Sequence, residues 1–339
     1  MANQNIRTPR FYTDISAYLL SRGMTQDGNL DVKPTGSGFM GTFVTGSEAE
    51  LFDLRPLNKV TFNTSSATSD HVMVNINTST FKKNFVAILN HNMKTANAKV
   101  HIRTNDTLTN VDDVDLGSGT VLANPVEVMN ADSISSSIIE PATDGHTIIT
   151  FDETDDRYFG IQFEGASAFD GSDNLFVGCI LVGEYYDMPH APDLNLTRSI
   201  EFDKVIQSES LGGQRYSTMV NYGRESTTTT KSPFNTESYS NKTYGGRMSF
   251  NMNFSYLAST DIMPNEMDAS NLSDDAIIED VWNRTNGKHL PFIFSVDNTS
   301  TGNNSEADHI FARFDQDSLS MKQVALDTFN INLKITEEF

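Results

Sequence analysis

The chain has 339 residues, 37% of them hydrophobic, which is enough for one large or two ordinary cores, and length alone favours two domains. Twenty-four Lys and Arg face 45 Asp and Glu, a formal charge of −21, which argues against a nucleic-acid partner and against an anionic lipid surface. There is no long apolar run, and the opening MANQNIRTPRFYTD has no apolar stretch of the signal-peptide kind, so neither membrane insertion nor secretion is expected. A single cysteine, Cys179, excludes an internal disulfide framework and suits a reducing cytoplasm. Asn, Ser and Thr together make up 98 residues, alongside 22 Phe and 10 Tyr, a composition of strands and loops.

In chain order, Phe11, Ile15, Tyr18 and Leu19 share a helical face before Gly23. Residues 1–30 read as an N-terminal arm carrying that short helix. Strands are expected at Val72–Ile76, Val100–Ile102, Thr147–Phe151 and Tyr158–Phe163, each bounded by turn formers. Leu175–Val182 is almost wholly apolar and reads as one fully buried strand. These segments predict a jelly-roll-like β-sandwich over residues 31–188.

The proline-containing segment 189–195 reads as a linker, followed by a β-rich domain over 196–339 with one short helix. The stretch Gln207–Thr243 has few aliphatic residues and predicts a long loop or a hairpin that gains order from a neighbour. From Arg247 to Tyr256, Met248, Phe250, Met252, Phe254 and Tyr256 alternate with small polar residues, the period of a half-buried strand. Phe329, Ile331, Leu333 and Ile335 repeat the pattern, and the two segments are expected to line one core. Between them, Ser273 followed by two aspartates and then Ile277, Ile278, Val281 and Trp282 predicts a capped helix stopped at Gly287. Pro291–Phe294 predicts another strand.

No residue is assigned a catalytic, cofactor-binding or metal-ligating role, and an enzyme is not expected. The seven histidines lack the spacing that places two imidazoles on one helix face; His91 and His101 could meet only across a hairpin. Cys179, inside LFVGCILVG, reads as core rather than nucleophile, because burial disfavours a thiolate. Nucleophile-elbow and phosphate-loop motifs are missing. Asp112–Gly119 and Phe169–Asn174 cluster oxygen ligands beside glycine as calcium loops do, but without EF-hand spacing, and the preferred reading is solvated acidic loops.

Asn84–Thr104, NFVAILNHNMKTANAKVHIRT, resembles the strand pair of discoidin-like, galactose-binding-type jelly rolls found in phage virion proteins. IRTPRFYTD (Ile6–Asp14), LGGQRY (Leu211–Tyr216), YGGRMSFNMNFSYL (Tyr244–Leu257), HLPFIFSVDN (His289–Asn298) and the closing KITEEF resemble structural proteins from the tail modules of marine tailed phages. The resemblance implies a tail-tip component of the virion, distal tail or baseplate, assembled in the host cytoplasm. It would form a homo-oligomeric ring through its C-terminal β domain and contact neighbouring tail proteins. Distal tail proteins lead with the ring-forming domain, whereas here the jelly-roll candidate comes first. The alternatives are a carbohydrate-binding adhesion module that contacts host surface glycans, and a capsid decoration or head-fibre protein.

Overall fold

The structure is a computed structural model that describes residues 7–32, 43–64, 71–78, 81–112, 116–135, 137–165, 169, 172–201, 205–219, 247–265 and 275–338. It is mainly β and built from antiparallel sheets, as the sequence pattern predicts.

The first half is a β-sandwich. One layer is a seven-stranded sheet that includes Leu30–Val32, His71–Asn77, Tyr158–Gly165, Ala98–Asn105 and Ile138–Glu140 in that spatial order. The other layer, Cys179–Asp187, Lys83–His91, Gly145–Thr154 and Val126–Met129, is part of an eleven-stranded sheet. Alternation places Val86, Ile88, Ile180 and Val182 on the inner face, packed against Val74, Ile102 and Ile161 of the facing layer. The opposite face of the same strands carries Phe85, Ala87, Leu89, Cys179 and Leu181, and it too is buried. Both faces being covered explains why Lys83–His91 is buried throughout its length.

The large sheet runs on into the second half of the chain through one short strand. Arg10–Asp14 pairs with Cys179–Asp187 on one side, Tyr12 opposite Tyr185, and with Phe292–Ser295 on the other, Phe11 opposite Phe294. Arg10–Asp14, expected as part of an N-terminal arm, therefore sits mid-sheet, and Phe11 belongs to this strand rather than to a helix. The helix is confined to Ile15–Ser21, where Asp14 caps it by accepting the Ala17 N–H at 2.6 Å.

Beyond Phe292–Ser295 the order is His309–Phe314, Thr328–Glu337, Arg247–Ala258 and Thr197–Glu201. The two alternating segments pair directly, Phe254 opposite Ile331 and Phe250 opposite Ile335. Their apolar faces share a core with Phe11, Phe292, Phe294 and Phe314, as the alternation predicts, except at Tyr256, which a bulge between Phe254 and Leu257 turns out to solvent at φ +64°. That core is closed by the segment Ile277–Asn283, a wide helical turn through which Ile277 and Val281 are buried. The helix expected over Ser273–Gly287 is thus shorter; Ser273 and Asp274 lie outside the described residues. Gly287, at φ +64°, ends it by donating its N–H to the Trp282 carbonyl at 2.8 Å.

Leu175–Val182 is not one strand. Phe176–Val177 joins Val60–Phe62 in a three-stranded sheet, and Cys179–Asp187 enters the large one. The break is at Gly178, where a Cβ would lie 2.1 Å from the Pro56 carbonyl oxygen.

Candidate functional site

Two features have the makings of a functional surface, one in the second half and one where the two halves meet. The first is a projecting ribbon. Val205–Glu209 pairs with Arg215–Met219, Ser208 opposite Tyr216 and Glu209 opposite Arg215, to make a two-stranded sheet separate from the others. The turn between them is tied by the Ser210 N–H to the Gln214 carbonyl and by the Gly213 N–H to the Ser210 carbonyl, with Gly213 at φ +82°.

Alternation splits the ribbon into two faces, one carrying Ile206, Ser208, Tyr216 and Thr218, the other Val205, Gln207, Glu209 and Arg215. Both are exposed. Ile206 is 69% exposed, Tyr216 54% and Leu211, at the turn, fully so. The Glu209–Arg215 ion pair, at 3.4 Å, spans the hairpin in solvent, where such pairs contribute little. A second exposed hairpin pairs Met321–Ala325 with Thr328–Glu337 and presents Val324 and Leu326. Of the stretch expected to form a loop or hairpin, Gln207–Thr243, the described part is this first ribbon; residues 220–246 lie outside the described residues.

The second feature is the joint beside Arg10–Asp14, where the sandwich strand Cys179–Asp187 meets Ile277–Asn283. Pairing with Lys83–His91 stops at Gly183, and the Tyr185 N–H is taken instead by the Asn84 side chain at 2.7 Å. In the opened sheet lies a cavity of about 420 Å³, lined among others by Phe151, Glu153, Glu184, Tyr185, Asp187 and Asp275. Arg10 clamps Asp187 with two hydrogen bonds, 2.6 and 2.8 Å, and its guanidinium lies 3.9 Å from the centre of the Tyr185 ring. Lys82 reaches Asp275 at 3.1 Å and Glu153 at 3.4 Å. Deeper in, Glu184 and Asp280 are each 4% exposed beside a buried Arg284. Burial, and then repulsion from Asp280, pushes the Glu184 carboxyl up; burial does the same to Asp280.

The histidines do not converge. His91 is buried, accepting the Met93 N–H at Nδ1, 3.2 Å away, which leaves Nε2 to donate to Thr147 at 2.9 Å. His101 lies in the other layer, 2.7 Å from Glu164. Cys179 is fully buried, and burial raises its thiol well above the usual range. Among the described residues no group of three or more His, Cys, Asp or Glu could hold a metal ion; both acidic loops, at 112–119 and 169–174, fall partly outside those residues. No helix of the described residues is long and apolar enough to cross a membrane.

No family model and no curated protein matches the chain. Among solved structures it is similar to chitosan-binding module 1 of a chitosanase/glucanase from Paenibacillus sp. IK-5, at 14% identity and a TM-score of 0.29, over 46% of this chain and 94% of that one.

Proposed function

We propose that this chain is a structural subunit of a phage virion, a tail-tip component that joins copies of itself into a ring through its second, β-rich half. The ribbon Val205–Glu209 with Arg215–Met219 carries the reading. An isolated two-stranded hairpin is marginal in water, and this one exposes Ile206, Leu211 and Tyr216 with no layer of described residues upon it. A neighbouring subunit would bury those side chains and pair the open strand edges. With −21 formal charges per chain, such contacts are best made by apolar and hydrogen-bonding groups, which is what the face with Ile206, Ser208, Tyr216 and Thr218 presents.

The test is native mass spectrometry and sedimentation of the intact chain, beside a double variant Ile206→Lys, Tyr216→Lys. The proposal expects closed oligomers from the first and, from the second, a folded monomer with the same circular dichroism. Equal association of both would remove the ribbon from the interface.

The alternative, a glycan-contacting adhesion module, draws on the cavity at Asn84 and Tyr185. Its one accessible ring already carries the Arg10 guanidinium, so a sugar would have to displace that cation to stack, and the cavity supports this reading less than the ribbon supports assembly.

A further inference from the structure

Among the described residues, the joint between the sandwich and Ile277–Asn283 gathers more carboxyl groups than cations, and two of those carboxyls, on Glu184 and Asp280, are buried. Thr13, from the shared central strand, stitches the two sides together, its hydroxyl lying 3.1 Å from the Glu184 carbonyl and 3.0 Å from the Asp280 carbonyl. One oxygen of the Asp280 carboxyl accepts the Ala276 N–H at 2.8 Å, starting the helical turn. Arg284, one residue past that turn, brings Nη2 to 3.8 Å from Oε2 of Glu184, an oxygen that makes no hydrogen bond among the described residues. Its guanidinium is otherwise packed on Phe81, 4.5 Å from the ring centre, and on Tyr18 at 5.6 Å.

The groups facing this pair can be set against each other. Lys82, from the segment entering Lys83–His91, faces Glu184 but is taken by Asp275 and Glu153. Asp275 and Glu279 both face Asp280 from its own segment. Among the described residues, Glu184, Asp280, Asp275, Glu279 and Glu153 are five carboxyl groups against three cations, Lys82, Arg284 and Lys83, the last facing Arg284 and lowered by burial to about 7; Tyr186 also faces Asp280, its phenol raised by burial and uncharged. Three of the five are on or beside the helical turn, so the repulsion acts directly between that turn and the sandwich strand. Water cannot screen it where Glu184 and Asp280 are buried.

We propose that Ile277–Asn283 is latched onto strand Cys179–Asp187 by a proton carried on the Glu184–Asp280 carboxyl pair, so that ionisation of both releases the turn. With one carboxyl protonated, Arg284 neutralises the other and the joint is closed. With both ionised, a buried negative charge is left without a partner, and the relief available is to move the turn, with Asp280 and Arg284, toward water. The apolar anchors Ile277 and Val281 limit this to a local opening rather than unfolding. The direction agrees with the raised carboxyl pair: protonation is favoured in the closed joint, and closure weakens as pH rises.

The experiment is hydrogen exchange on the full chain at pH 6 and pH 9, corrected for intrinsic exchange, for wild type and Glu184→Gln. The wild type is expected to lose about tenfold protection across residues 277–285 at pH 9, and the variant to keep it, because loss of one proton-linked charge changes the opening equilibrium by about tenfold per pH unit. Equal wild-type protection at both pH values, or the same loss in the variant, would overturn the proposal. If Glu184→Gln does not fold, Asp280→Asn makes the same comparison. Carboxyl carbon NMR of the wild type supplies an independent reading, since titration of both groups in the ordinary carboxylate range would also overturn it.

Discussion

Asp14 and Val182 are joined by a hydrogen bond of 2.9 Å, the Val182 backbone N–H donating to one oxygen of the Asp14 carboxylate while the other oxygen caps the helix at Ala17. A single buried side chain therefore begins the helix Ile15–Ser21 and ties its start to the sandwich. Asp14→Ala removes a cap and leaves a buried N–H unsatisfied, which should cost about 2 to 4 kcal/mol in chemical denaturation. Asp14→Asn, which retains one acceptor, should cost less.

The same strand approaches Cys179–Asp187 so closely that no side chain fits at Gly183, where a Cβ would lie 2.0 Å from the Thr13 carbonyl oxygen. Gly183→Ala must push Arg10–Asp14 away from its partner, and a loss of at least 1 to 3 kcal/mol is expected, read as a fall in melting temperature. An unchanged melt would mean that the strand is not docked as described.

In the second core, Phe254 is fully buried between the alternating strands, and Phe250 is 3% exposed with its ring 5.4 Å from that of Phe294. Phe254→Ala should destabilise by about 3 to 5 kcal/mol, and Tyr256→Ala, at a 78% exposed position on the same strand, by less than about 0.5 kcal/mol. Thermal melts of the two variants side by side check the burial pattern directly.

Both strands were legible because one face is apolar and the other polar, Ser and Asn in the first and Asn, Lys and Thr in the second, which is the condition under which a period of two appears. Arg10–Asp14 lacks that condition. Its five residues are buried on both faces and its partners lie far along the chain, so RFYTD merges by eye into the helical pattern that follows. An apparently continuous apolar strand breaks at Gly178, where the Pro56 carbonyl, 122 residues away, comes too close for any side chain, a relationship that no local pattern encodes. Glu184 and Asp280 were hidden among 45 acids, because what sets them apart is burial beside Arg284 and not their spacing.

Below pH 6.5 the buried imidazoles should work against stability, opposite in sign to the buried carboxyls of Asp14, Glu184 and Asp280, which burial raises and which favour the folded state as pH falls. Burial lowers His91 to about 3 and, first among its causes, His309 to about 4 from the usual 6.5. The unfolded chain takes up these protons near pH 6.5 while the folded one does not, so their contribution is full above that pH. Each histidine should then cost roughly 1.4 kcal/mol per pH unit as pH falls from about 6 toward its folded value. Urea denaturation of wild type and His91→Gln at pH 7, 6 and 5 isolates one imidazole, and the stability difference between them should shift toward the variant by roughly 1.4 kcal/mol per pH unit below about pH 6.

The proposed place of this chain at the tip of a phage tail is tested most directly by cryo-electron microscopy of intact virions carrying it. The account predicts a closed ring of copies at the tail end, with the ribbon Val205–Glu209 and Arg215–Met219 packed on an adjacent subunit through Ile206 and Tyr216. Particles without the chain, or copies in which that ribbon stands free in solvent, would contradict it.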